Sequence, residues 1–217
     1  MRISDEQVKH DVLTELQWEP EVSETDIGIT VHDGAVTLTG TVPSYVEKLA
    51  AKRALKRVAG VRAYADEIEV RLPSDAAITD EEIARRIAHV LEWNTQIPSD
   101  EVKAEVRAGV VTLSGQVDRH YQRTYADRQV EGVRGVISVI NHIHVREQPT
   151  ERDVQKEIRD ALHRHADVEA SNVEVMVEDG TVTLAGEVES FQEMDLIEDA
   201  AWSAPGVNRV VNNTYLA

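Results

Sequence analysis

One phrase is written three times in this chain: DGAVTLTG at 33–40, AGVVTLSG at 108–115 and DGTVTLAG at 179–186. The first two copies lie 75 residues apart and the last two 71, and these offsets hold without a gap across most of each unit. Gly40, Gly115 and Gly186 correspond, as do Val42, Val117 and Val188. Twenty residues after each of those glycines a Gly-Val pair follows: Gly60-Val61, Gly135-Val136 and Gly206-Val207. A fixed period of this length means one supersecondary unit repeated. The units expected are 1–72, 78–147 and 149–217, and the difference in offset falls in the linkers LPSDAAI and EQP.

Each unit reads in the same local order. Ser4, Thr79 and Thr150 each stand three residues before an acceptor side chain, Gln7, Glu82 and Asp153, which is the spacing of a capping box at a helix start. The apolar positions that follow, Val8, Val12, Leu16; Ile83, Ile87, Leu91; and Val154, Ile158, Leu162, form one helical stripe. Alternation then begins. Ile27, Ile29, Val31, Val36 and Leu38 have counterparts in Val102, Ala104, Val106, Val111, Leu113 and in Val173, Val175, Val177, Val182, Leu184. Two period-two runs around a glycine turn predict a β-hairpin, with Thr37, Thr39, Thr112 and Thr183 on its polar face. A second helix should start near Ser44, Arg119 and Ser190, run to about Val58, Val133 and Ala204, and end at the Gly-Val pair. A last strand follows. The fold class expected is α+β: three αββαβ units, each a three-stranded mixed sheet with two helices on one face. Gly40, Gly115 and Gly186 are expected at a strand-to-helix turn that needs positive φ or close packing, and Gly60, Gly135 and Gly206 at helix ends.

Composition narrows the chemistry. With 40 acidic against 23 basic residues the formal charge is −17, which argues against a general nucleic-acid binder, whose phosphate contacts need a basic face, and against a polybasic lipid anchor. The chain has no cysteine, so it has no disulfide, thiolate nucleophile or Cys-based metal site. Nothing in it resembles a phosphate-cradling glycine loop, and no nucleophile–base set recurs in the copies. Gly132-Val-Arg-Gly135 matches a nucleic-acid clamp only in spelling, because it lies between a helix and a strand. His142 and His144 could begin a metal site, but their counterparts are Glu67/Glu69 and Asn213/Tyr215, and no third ligand is evident. His163 and His165 sit at a helix end. No catalytic residue, cofactor or metal is expected. No stretch is apolar enough to span a membrane, and the N-terminus lacks an export signal. The location expected is therefore cytoplasmic, with periplasmic the alternative if a signal has been removed.

The hairpin phrase Val-Thr-Leu-x-Gly-x-Val, the helix after it and the Gly-Val before the last strand resemble the BON domain (bacterial OsmY and nodulation), in three tandem copies covering nearly all of the chain. The resemblance implies an αββαβ fold and a bacterial, non-enzymatic protein. It also implies association with phospholipid or other envelope surfaces, a link to osmotic and envelope stress, and in some members chaperone-like action.

The tryptophans are the candidate contact residues. Trp18 and Trp93 share a repeat position just past helix one, where the third unit has Arg164. Trp202 stands on the third unit's second helix, where its counterparts are Lys56 and Glu131, with Phe191 and Met194 earlier on the same helix. Packing against a neighbouring unit and contact with lipid or a protein partner are both open for Trp202, Phe191, Met194, Trp18 and Trp93. Charge is uneven: residues 150–217 carry 15 acidic and 5 basic side chains, residues 78–149 only 11 and 9. Arg119, Arg123, Arg128 and Arg134 therefore suggest that unit two faces an acidic partner, unit three being one candidate. Two functions are expected: a protein bound to a phospholipid surface, or a soluble holdase or interaction scaffold that meets protein clients.

Overall fold

The computed structural model describes residues 3–23, 26–73, 78–146, 158, 173–178, 180–204 and 206–216. Unit one comprises helix α1 (Asp5–Trp18), strands β1 (Ile27–His32) and β2 (Ala35–Val42), helix α2 (Tyr45–Lys56) and strand β3 (Ala63–Val70). Unit two repeats this with α3 (Asp80–Glu92), β4 (Val102–Arg107), β5 (Val110–Val117), α4 (His120–Glu131) and β6 (Ser138–Val145). Unit three contributes β7 (Val173–Glu178), β8 (Thr181–Val188), α5 (Phe191–Ser203) and β9 (Arg209–Leu216). Of its expected first helix, Val154 and Leu162 lie outside the described residues, as does the Thr150/Asp153 cap. Ile158 is helical and fully buried in the third core.

Every sheet has the hairpin's second strand in the middle, antiparallel to the first strand and parallel to the last. The parallel pair requires a crossover, and the second helix supplies it. The predicted stripes are the buried ones: Val8, Val12 and Leu16 in α1, and Ile83, Ile87 and Leu91 in α3. They close on Val36, Leu38 and Ile68 in the first core and on Val111, Leu113 and Ile143 in the second. Small residues on the second helices, Ala51, Ala54 and Ala126, let those helices approach the sheet.

The helix starts differ from a full capping box. Ser4 and Thr79 accept from the backbone N–H of Gln7 and Glu82 at 3.2 and 3.3 Å. The return half is missing, because Gln7 donates to Asp11 and Glu82 is held by Arg85 and Arg86. The first helical residue has a separate task. Both carboxylate oxygens of Asp5 accept from the N–H groups of Asp33 and Gly34, and Asp80 does the same for Ala108 and Gly109. These turn residues have φ between 49° and 77°, as a two-residue hairpin loop requires. One carboxylate thus ties helix one to the hairpin in each of the first two units.

Gly40, Gly115 and Gly186 lie inside β2, β5 and β8, not at a strand-to-helix turn. Their φ values of 123°, 134° and 140° kink the middle strand. A Cβ at Gly40 would stand 1.9 Å from the Asp26 carbonyl oxygen, and one at Gly115 the same distance from that of Glu101. The second helices end at Lys56, Glu131 and Ser203. Gly60 and Gly135 follow within the next turn, where absence of a side chain leaves room for Val8 and Ile83 of the first helices and for Ile3 just before α1. Gly40→Ala and Gly115→Ala should each cost about 3 kcal/mol or more of stability. Gly132→Ala, at a position with ordinary φ and nothing within 4 Å, should be neutral or slightly stabilising. Urea denaturation of the three variants checks the contrast.

Candidate functional site

A three-stranded sheet with two helices leaves the outer flank of the second helix uncovered, and here neighbouring units cover it. The first residue of each second helix carries a ring: Tyr45, His120 and Phe191 occupy one repeat position. Each reaches into the following unit. Tyr45 packs against the second core, and its hydroxyl is placed for hydrogen bonds with Val139 and Ser138 at the start of β6. Burial pushes its phenol up. His120 stacks on Trp202 of unit three, with ring centroids 4.1 Å apart and planes 7° from parallel. Phe191 returns to unit one and meets Tyr64 edge-on at 5.1 Å. Tyr64 and Val139 are themselves equivalent positions. The three units therefore form a head-to-tail cycle with an approximate threefold relation, closed by the contact of unit three with unit one.

Charges converge where the second helices meet. Lys56 of unit one pairs with Asp195 of unit three at 2.6 Å. Arg128 of unit two faces Asp199 of unit three, whose carboxyl is pushed up by burial and drawn back by that guanidinium. Glu131 is likewise pushed up by burial, with Arg53 and Arg128 opposing.

The candidate contact residues separate into two groups. Trp202 and Phe191 are half-buried in seams between units, and Met194 packs on the third core beside Phe191. Trp18, the last residue of α1, and Trp93, which follows α3, are 80 % and 84 % exposed. Arg164, His163 and His165 lie outside the described residues. His142 and His144 lie exposed on the open face of the second sheet, and no described group of three or more His, Asp or Glu residues could hold a metal.

His120 was not singled out from the sequence. Its Nε2 lies 3.1 Å from the Thr124 hydroxyl, while Nδ1 is buried without a partner among the described residues. Burial, followed by the charge of Arg123, lowers its pKa to about 4. The signal available was the ring recurring at 45, 120 and 191; its target in the next copy was not readable from one chain.

This geometry defines a class: a tandem α+β repeat whose similarly folded units are joined by unlike seams. A family model for the BON domain matches residues 4–71, 79–147 and 150–215, and the chain belongs to that family. Osmotically-inducible protein Y of Escherichia coli is 34 % identical over 131 residues, covering 56 % of this chain and 63 % of that protein's length. A 21 kDa hemolysin of Actinobacillus pleuropneumoniae is 28 % identical over 142 residues, covering 62 % and 72 %. Among solved structures, the C-terminal domain of CdsD, a type III secretion structural protein of Chlamydia trachomatis, aligns over 99 % of this chain and 100 % of that one at 18 % identity, with a TM-score of 0.27.

The His120–Trp202 stack has a pH signature. A folded pKa near 4 against about 6.5 unfolded means that the unfolded chain binds the proton first as pH falls. The seam's contribution should be complete above about pH 6.5 and decline towards pH 4. NMR titration should place the His120 imidazole near 4, and Trp202→Ala should move it back towards 6.5 by rehydrating the ring. Titration near 6.5 in the unaltered protein would contradict the packed seam.

Proposed function

We propose that this protein is a non-enzymatic binding module that attaches to phospholipid surfaces through Trp18 and Trp93. The observation that carries this reading is their exposure, 80 % and 84 %, at one repeat position in two units. An indole is amphipathic and favours the boundary between water and hydrocarbon. Burying each ring in a headgroup layer would contribute about 2 kcal/mol, and two rings on one chain reinforce each other when both engage. The charge of −17 favours zwitterionic over anionic lipid. No described helix is long and apolar enough to cross a membrane, so attachment of this kind would be peripheral. Either compartment expected from the sequence offers such a surface, and the similarity to an osmotically inducible protein supports a role under osmotic stress.

A second reading, a holdase or scaffold for proteins, is favoured by the uncovered sheet faces, where Ile140, Met176 and Tyr215 are exposed.

Co-sedimentation with phosphatidylcholine vesicles tests the first reading. The full chain should pellet, the Trp18→Ala/Trp93→Ala variant should stay in the supernatant, and vesicles enriched in phosphatidylglycerol should bind less. Binding unchanged in the double variant, or absent with every mixture, would remove the lipid reading. Suppression of client aggregation by that same variant would favour the second.

A further inference from the structure

The three seams are built from the same repeat positions, so differences between them are informative. At the first, Pro43, Ser44, Tyr45 and Val46 face Glu131, Gly132 and Val133 across a narrow, mostly apolar cleft of about 280 Å³, which Leu72, Pro73 and Ile78 also line. Ser44 caps α2 by accepting from the Glu47 N–H at 3.2 Å. At the second seam the corresponding residues are Asp118, Arg119, His120 and Tyr121, and they face Trp202, Ser203 and Ala204. The cleft there is about 580 Å³, twice as large. Its lining holds Arg119, Arg128 and Arg146 with four aromatic rings, where the first holds Arg134 and the single aromatic ring of Tyr45 among mostly aliphatic residues. Arg119 replaces the capping serine, and no side chain caps this helix as Ser44 does; the Gln122 side-chain oxygen instead accepts from the N–H groups of Asp118 and Arg119, just before the helix. Unit three keeps the serine, Ser190.

Three guanidinium groups, Arg119, Arg128 and Arg146, line this one cleft in a chain of net charge −17. Arg146 is committed to Glu101 and Asp118, which fixes its place on the wall and neutralises one of the cleft's two carboxylates. Arg128 faces the other, Asp199, whose carboxyl burial already pushes towards its neutral form. No ion pair joins Arg119 or Arg128 to a carboxylate among the described residues. Planar guanidinium forks match the oxygens of carboxylate and phosphate. Tyr121, 57 % exposed, and Tyr125 add ring surface beside the His120–Trp202 stack. The volume is that of a small-molecule site, and it lies between two units, where such sites concentrate.

We propose that the seam between units two and three binds a small organic oxyanion: a carboxylate or phosphate ester carried on a ring that rests against Tyr121, Tyr125 and the edge of Trp202. Arg119 and Arg128 hold the oxyanion. A ligand there touches both units and stabilises their junction. The site shares no residue with the exposed tryptophans, so this inference stands or falls apart from lipid attachment.

In the full chain carrying Trp18→Phe and Trp93→Phe, Trp202 is the only tryptophan, and its indole N–H gives one NMR signal. Phenyl phosphate, benzoate, inorganic phosphate and phenol are titrated separately. The expected result is a saturable shift with phenyl phosphate or benzoate, the better of the two assigning the oxyanion, with inorganic phosphate and phenol at least about tenfold weaker. Arg119→Ala/Arg128→Ala should weaken the preferred probe by about tenfold or more, and Arg119→Lys by less, because it keeps the charge and loses the fork. No saturable shift with any probe, equal affinity for inorganic phosphate and the ring compounds, or unchanged affinity in the double arginine variant would each overturn the assignment.

Discussion

The architecture depends on one contact made three times: the ring at the first position of a second helix reaching into the unit that follows. Each unit of about 70 residues covers one face of a small sheet with its helices, and cores of that size are marginal alone. Head-to-tail contacts either close into rings or propagate. Here they close, because Phe191 and Asp195 of unit three return to Tyr64 and Lys56 of unit one. The seams are unlike in chemistry although alike in position. Tyr45 packs into the second core across the first, His120 stacks across the second, and Phe191 meets an aromatic edge across the third.

That division explains how a repeated scaffold acquires individual sites. Positions that make a unit fold are kept in all copies: the strand glycines, the valines and leucines of the hairpin, and the Gly-Val turn. Asp5 and Asp80, which tie helix to hairpin, have Glu151 as third counterpart, outside the described residues. Positions that meet a neighbour vary. Lys56, Glu131 and Trp202 are one position with three roles, as are Arg53, Arg128 and Asp199 at the meeting of the second helices. Opposite charges at equivalent positions are useful only when the copies face one another, which a closed cycle ensures.

The fold was legible in the sequence because its determinants are local and repeated. The i, i+4, i+8 stripes, the alternation and the threefold phrase all report structure within a unit, and the observed elements follow them. Details failed where one side chain had two possible partners: Gln7 and Glu82 were expected to complete capping boxes but bond to Asp11 and to Arg85 and Arg86 instead. The middle glycines have the positive φ that a strand-to-helix turn would need, but they lie within the strand, which continues through a kink to Val42, Val117 and Val188. Trp202 was visible as an anomaly against Lys56 and Glu131. Its partner, His120, lies in a different unit, and no local pattern links them.

The cycle itself is open to one direct measurement. Lys56 and Asp195 belong to the first and third units and are in ion-pair contact at 2.6 Å, close enough for a zero-length carbodiimide to join them. Dilute protein treated in this way should yield, by peptide mass spectrometry of the monomer band, an amide linking Lys56 to Asp195 beside the within-unit link of Lys48 to Asp66, whose groups lie 3.2 Å apart. Recovery of the Lys48–Asp66 product without the Lys56–Asp195 product, or of the latter only in dimers, would contradict a ring closed within one chain.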